Sequence, residues 1–298
     1  MQIGVDFGGT KIEAAALDAD GGFLARLREP NPGTYDAALA TVVRLVERIE
    51  RDLGRRGSIG LAVPGSVSPT TGRMRNANST WLNDRPFRED LAAALGRPVR
   101  LANDANCLAL SEAVDGAASR AVVVFAVIIG TGCGGGLVVN GQLVPGANGL
   151  AGEWGHVALP WPTAEELPGP ACWCGLHGCL ETWISGTGFQ RDHTAMTGQV
   201  LRAEAIVAAA GAGDRDATAS MDRYADRLAR ALAMVINLVD PDVVVMGGGL
   251  SNIADLYPRV TAAVDRHAFA DSLVTRIVPA RWGDSSGVRG AARLWPVD

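Results

Sequence analysis

QIGVDFGGTKIEAAALDADGGFLARLR, residues 2–28, reads as an apolar strand, a Gly-Gly-Thr-Lys turn, a second apolar strand, a turn of Asp and Gly, and a third strand. AVVVFAVIIGTGCGGGLVVNGQLV, residues 121–144, repeats that order: strand, Gly-Thr-Gly turn, strand, Asn140-Gly141 hairpin, short strand. Downstream of the first copy, Leu39, Val42, Val43, Val46, Ile49 and Leu53 fall at helical spacing. A strand from Ser58 then ends in Pro64-Gly65. Downstream of the second, a long helix over 220–239 stops before Pro241, and the strand DVVVM runs into Gly247-Gly248-Gly249. Two related halves, each with a Gly-rich turn, predict an α/β chain with a duplicated fold: two domains that close an interdomain cleft around a nucleotide.

At 298 residues the chain is long enough for two domains with their own cores. A 48% hydrophobic and 20% charged composition is that of a soluble globular protein, and a net charge of −5 gives nucleic acid no electrostatic handle. The longest apolar run, 121–129, is too short to span a bilayer, so no membrane partner is expected. MQIGVDFGG has no basic n-region, so a cytoplasmic location is expected. In that reducing compartment clustered cysteines are metal ligands more readily than disulfides.

Gly8 and Gly9 allow positive φ and leave no side chain between backbone N–H groups and an anion, as a phosphate cradle needs. Asp6 is placed to orient a magnesium ion or its water shell. Lys11, the chain's single lysine, follows directly, where a compact ammonium suits phosphate charge. The chain contains no P-loop sequence. Asn76, Asn78, Ser79 and Thr80 form a polar loop before Trp81, read equally as turn chemistry or as carbohydrate-binding groups. A strand ending at Ala102 hands Asn103-Asp104 to a helix, and Asp104 there is either an N-cap or a general base in a cleft. Residues 160–170 are a Pro-rich, acidic insertion, 211–219 a surface linker, and 287–295 a final helix.

Residues 148–181 hold NGLAGEWGHVALP and then CWCGLHGCLE. Cys172, Cys174 and Cys179 follow C-x-C-x4-C, and a tetrahedral zinc would need one more ligand, which His156 or His177 could supply. Glu153 and His156, three apart, share a face if their segment is a helical turn.

G-E-W-G-H followed by C-x-C-G-x-x-G-C-x-E resembles the signature of the ROK family of sugar kinases and sugar-responsive repressors. The resemblance runs from GVDFGGTK at Gly4 to DSSGVRGAA at Asp284, and NANSTWLN at Asn76 and LANDANCLALSEAVDGA at Leu101 are most similar to bacterial fructokinases. It implies the actin-like architecture of sugar kinases and the Hsp70 ATPase. The N-terminal domain would span 1–118, joined by the C-terminal helix 287–298, and the C-terminal domain with the zinc loop 119–286. It implies ATP, Mg2+ and Zn2+ as cofactors. Gly4, Asp6, Gly8, Gly9, Thr10, Lys11, Thr131, Gly132, Cys133 and Gly134 would serve the phosphates, and Gly248 and Gly249 the adenosine. It makes Asp104 the catalytic base. Asn103, Glu153, His156 and Glu181, with Asn78 and Gly65, would bind the sugar, and His156 would be the fourth zinc ligand. The expected activity is phosphorylation of a hexose, D-fructose to fructose 6-phosphate, by a homodimer. A kinase of glucose, mannose or an N-acetylhexosamine is the alternative. The family's repressors carry an added N-terminal DNA-binding domain, whereas this chain enters its first strand at residue 2, so a sugar-sensing repressor is not expected.

Overall fold

The computed structural model describes residues 1–296. Its elements in chain order begin with β1 (Gln2–Phe7), β2 (Lys11–Leu17), β3 (Phe23–Pro30), α1 (Tyr35–Leu53) and β4 (Ser58–Val63). A two-strand ribbon, β5 (Ser66–Val67) with β6 (Met74–Arg75), precedes α2 (Phe87–Leu95), β7 (Val99–Asn103) and α3 (Asp104–Val114). Next come β8 (Val123–Ile129), β9 (Cys133–Val139), β10 (Gln142–Leu143), α4 (Glu181–Ile184), α5 (Gly186–Thr197), α6 (Ala203–Gly211) and α7 (Arg215–Val239). β11 (Val243–Gly247), α8 (Leu256–Val264), β12 (Arg276–Pro279) and α9 (Ser286–Ala292) complete the chain.

One sheet has the order β3-β2-β1-β4-β7 and the other β10-β9-β8-β11-β12. In each, the first three strands are antiparallel and the rest parallel to the central one. The duplication legible in the sequence is thus a duplication of topology, and the fold is the duplicated actin-like α/β fold. The chain groups into two compact units, one of 1–120, 136–151 and the segment from 281 onward, the other of 121–135 and 152–280.

In the first unit the strand period of two separates the faces of β1. Ile3, Val5 and Phe7 join Val42, Leu45 and Ile49 of α1 in one core. On the opposite face a Cβ at Gly4 would meet the Val288 carbonyl at 1.9 Å, and one at Gly60 the Ala291 carbonyl at 1.9 Å. At Gly4 and Gly60 the sheet is therefore bare of side chains, and α9 lies directly on its backbone. α9 packs on β1, β4 and α3, and so returns the end of the chain to the first unit.

In the second unit α7 begins at Arg215, because Asp214 accepts the Ala217 N–H at 2.8 Å and caps it. The expected linker over 211–219 therefore shrinks to a short turn, and the polar run beyond Asp214 is the first turn of α7. The expected C-terminal helix likewise stops at Ala292, with Val297 and Asp298 outside the described residues. The insertion before the cysteines is held by Glu166, whose carboxylate receives Arg227 and Arg230 of α7 at 2.8 Å. Burial pushes that carboxyl up, but the two guanidiniums outweigh it and hold it at about 2. Among the described residues no helix is long and apolar enough to cross a membrane.

Candidate active site

In the first unit β7 delivers Asn103 and Asp104 to the start of α3. The cap is Asn103, whose Oδ1 accepts the Asn106 N–H at 2.7 Å. Asp104 instead accepts the neighbouring Ala105 N–H, at 2.8 Å. Its side chain is reachable from solvent yet crowded by protein atoms. That loss of bulk water, opposed by the Ala105 N–H, pushes the carboxyl above the ordinary range. Asp6, at the end of β1, is raised to about 6, chiefly by burial and then by the charges of Asp104 and Glu13, with Lys11 and Arg28 opposing. A buried carboxyl raised in part by the charge of a second one, with a lysine nearby, makes a place where a cation or a proton is welcome.

The turn after β1 works differently from the sequence expectation. Neither Gly8 nor Gly9 has positive φ. Asn31 pins the turn, donating to the Gly8 carbonyl at 2.7 Å and, through its backbone N–H, to the Thr10 carbonyl at 2.9 Å. What glycine provides at position 9 is open space, since a Cβ there meets nothing within 4 Å. Gly4 is buried within β1, packed closely under α9. Gly65 has φ +72, and a Cβ on it would meet the Arg75 carbonyl at 2.3 Å, so the β5–β6 ribbon by itself requires a glycine there. The polar loop is braced by Asn83, which accepts the Ala77 N–H at 2.9 Å and donates to the Ala77 carbonyl at 3.1 Å. Turn chemistry therefore does not consume the exposed side chain of Asn78.

In the second unit a cavity of about 830 Å³, within the size range of small-molecule sites, is lined by Thr131 and Gly249 together with Thr187, Gln190, Glu204, Asn252, Asp255 and Arg259. Thr187 donates its hydroxyl to the Thr131 carbonyl at 3.0 Å, and the Gly186 N–H reaches the Gly130 carbonyl at 2.7 Å. The β8–β9 turn is thereby fastened to the head of α5. Gly248 has φ +86 and lies against β8, with the Ile129 carbonyl 2.7 Å from where its Cβ would be. Sequence reading found Thr131 and Gly249 through their glycine-rich turns. It missed the polar residues from α5, α6 and the segment after β11, which lie in no motif.

Cys133 gives its backbone N–H to Glu181 Oε2 at 3.1 Å, and Gly134 accepts the Trp154 indole N–H at 2.9 Å. Glu153 stands at the head of the single 3-10 turn Trp154–His156, three residues before His156, the spacing that aligns side chains on such a turn. The ligand atoms of His156, Cys172, Cys174 and Cys179 all lie within 4.8 Å of one another. His156 Nδ1 is 3.6 Å from Cys172 Sγ, and Cys174 Sγ is 3.6 Å from Cys179 Sγ. Bonds of about 2.3 Å to a tetrahedral zinc place sulfurs roughly 3.5–4 Å apart, so the cluster fits that ion. His177 is not among these donors; its backbone pairs with Ala171 and its side chain is exposed. Short backbone bonds, Leu159 to Gly178 at 2.9 Å and Leu180 to Val157 at 2.8 Å, fasten the histidine segment to the cysteine loop. Burial pushes the Cys179 thiol up to about 12, as expected for a thiol with no cation beside it.

The ROK family model matches residues 2–297. An N-acetyl-D-glucosamine kinase of Escherichia coli O1:K1 / APEC is 41% identical over the whole of both chains. A ROK hexokinase from Thermus thermophilus has a TM-score of 0.88 at 34% identity, covering 98% of this chain and 96% of its own. A ROK family glucokinase from Streptomyces griseus, solved with glucose and AMPPNP, has a TM-score of 0.77 at 27% identity over 98% of each chain. With geometry, full-length family match and relatives in agreement, the chain belongs to the ROK family.

Proposed function

We propose that the chain is an ATP-dependent sugar kinase that phosphorylates the 6-hydroxyl of N-acetyl-D-glucosamine. The observation that carries the kinase reading is the division of labour at the head of α3, where Asn103 does the capping and leaves Asp104 available as a base. In this reading the Asp104 carboxylate takes the proton of the 6-hydroxyl as its oxygen attacks the γ-phosphorus and ADP departs. A carboxyl raised above its ordinary range is the better base near neutral pH. Asn78, Asn103, Glu153, His156 and Glu181 hold the sugar hydroxyls, and the cavity beside Thr131 and Gly249 takes the nucleotide. Asp6 would hold Mg2+ or its water shell, and Lys11 would stand by the phosphates; magnesium, when bound, neutralises phosphate charge. His156, Cys172, Cys174 and Cys179 would hold Zn2+, which when bound ties the Glu153 segment to Glu181.

The choice of an N-acetylated sugar rests on the relative of 41% identity over the full length, named for that activity. The fructose expectation drew on the NANSTWLN and LANDANCLALSEAVDGA runs and has no such support. A coupled assay with ATP over N-acetylglucosamine, N-acetylmannosamine, glucose, mannose and fructose tests it. The highest kcat/KM is expected for N-acetylglucosamine, and a preference for fructose would overturn the substrate while leaving the kinase standing.

A further inference from the structure

Trp173 lies between two cysteines of the metal-type cluster and is 67% exposed, unusual for so large an apolar side chain. It is nevertheless fixed in orientation. Its indole N–H donates to Glu181 Oε1 at 2.7 Å, and its ring stands perpendicular to the His156 ring with centroids 4.8 Å apart. Glu181 Oε2 is held at the same time by the Cys133 N–H. Each carboxylate oxygen thus spends one lone pair on the protein and keeps one for a ligand hydroxyl. His156 points Nδ1 at Cys172, which leaves Nε2 on the other side of the ring. An aromatic ring left open to solvent, locked by two polar groups that each keep an unused hydrogen-bonding position, is the arrangement that recognises a sugar: C–H groups on the ring, hydroxyls on the polar atoms.

We infer that Trp173 is a sugar-contacting residue, whose indole N–H positions Glu181 and whose open face packs on the C–H face of the bound hexose. The inference rests on the sugar-kinase reading. It assigns substrate recognition to the variable position of the C-x-C pair, which the sequence motif leaves blank. Were Trp173 only a cover for the cluster or a brace for its loop, changing it would loosen metal and fold before it touched the sugar.

The test compares the wild-type protein with Trp173→Phe, which keeps a ring and loses the N–H, and Trp173→Leu, which loses both. Zinc content, thermal melting, KM for N-acetylglucosamine and for ATP, and the change in tryptophan fluorescence on adding the sugar without ATP are measured. Expected are unchanged zinc content and melting, unchanged KM for ATP, and KM for the sugar raised several-fold in Phe and on the order of 10-fold or more in Leu. The wild-type fluorescence response to sugar is lost in both. Equal sugar KM in wild type and Leu variant, or a rise that tracks zinc loss, overturns the assignment while wild-type turnover preserves the kinase reading. Absence of wild-type turnover with every hexose of the panel overturns both.

Discussion

Asp104 and Asp6 differ in what the fold asks of them. Asp104→Asn keeps the shape and the Asn103 cap but cannot accept a proton. Phosphoryl transfer is expected to fall on the order of 10²-fold or more while sugar binding, measured by calorimetry, stays within a few-fold. Turnover near the parental rate would reduce Asp104 to a residue of the helix terminus. Asp6 carries a stability cost. Its folded pKa of about 6 lies above the ordinary value near 4, so the folded state holds the proton more tightly than the unfolded chain. Stability from this group is full below about pH 4 and is lost as pH rises through 6, amounting to about 3 kcal/mol by pH 7. Asp6→Asn is therefore expected to stabilise the protein without nucleotide by about 1–3 kcal/mol at pH 7 and not at all at pH 4, while Mg-ATP turnover drops. Denaturant unfolding at the two pH values checks the sign. The place of Asp104 where a strand hands over to a helix was legible in the sequence; that Asn103 rather than Asp104 is the cap was not. Asn and Asp are equally good caps, and only coordinates show which of two adjacent residues turns its oxygen to the Asn106 N–H.

The loop over 172–179 is shaped by turns more than by packing, with Gly175 at φ +92 and Gly178 at φ +71, and its outer residues exposed. A loop with so little core needs a crosslink, and the donors gathered around it are three thiols and His156 Nδ1. Three thiolates this close repel one another unless a cation sits among them. His156→Ala is expected to lose bound zinc and sugar affinity together, because the histidine segment carries Glu153 and is tied to the segment before Glu181. His177→Ala should keep most of both, since that side chain lies outside the cluster. Metal analysis and sugar titration of the two variants distinguish the possibilities, and the reverse pattern would make the metal a clip local to the loop. Spacing alone offered both histidines. The choice depends on the backbone bonds that bring residue 156 across to the cysteines, which no local pattern encodes. The start of α7 was missed for a related reason: Asp216 and Thr218 read as linker residues until Asp214 is seen to cap the turn that contains them.

Across the whole chain the duplication was legible because it rests on strand periodicity and Gly-rich turns, both local signals. The cavity beside Thr131 was only half legible, because Thr187, Gln190 and Glu204 come from helices whose sequences look like ordinary covering helices. Chain closure was legible only as a family expectation, and its physical anchor is Glu112. This carboxylate on α3 is fully buried. It accepts the Ala117 N–H at 2.8 Å, the Arg281 and Trp282 N–H groups at 3.0 Å, and the Ser286 hydroxyl at 3.1 Å. The four donors are satisfied by one side chain, and three of them belong to the segment that enters α9. α9 in turn lies on α3, where a Cβ at Gly290 would meet the Cys107 carbonyl at 1.8 Å, so the docking tolerates little displacement. Glu112→Gln would aim an amide N–H₂ at two of those donors. Glu112→Leu would leave all four without a partner in the interior, where each unsatisfied group costs about 1–3 kcal/mol. Relaxation will recover part of that sum, so Gln is expected to cost about 2–4 kcal/mol and Leu more, enough to unfold a marginally stable protein. Because α9 covers the face of β1 from which Asp6 projects, with a Cβ at Gly287 placed 3.1 Å from Asp6 Oδ2, the loss should also open the Asp6 site. Amide hydrogen exchange is expected to accelerate in α9 and β1 of the Gln variant ahead of α1, and uniform exchange across the three would show that Glu112 is no more than one hydrogen-bonded core residue among others.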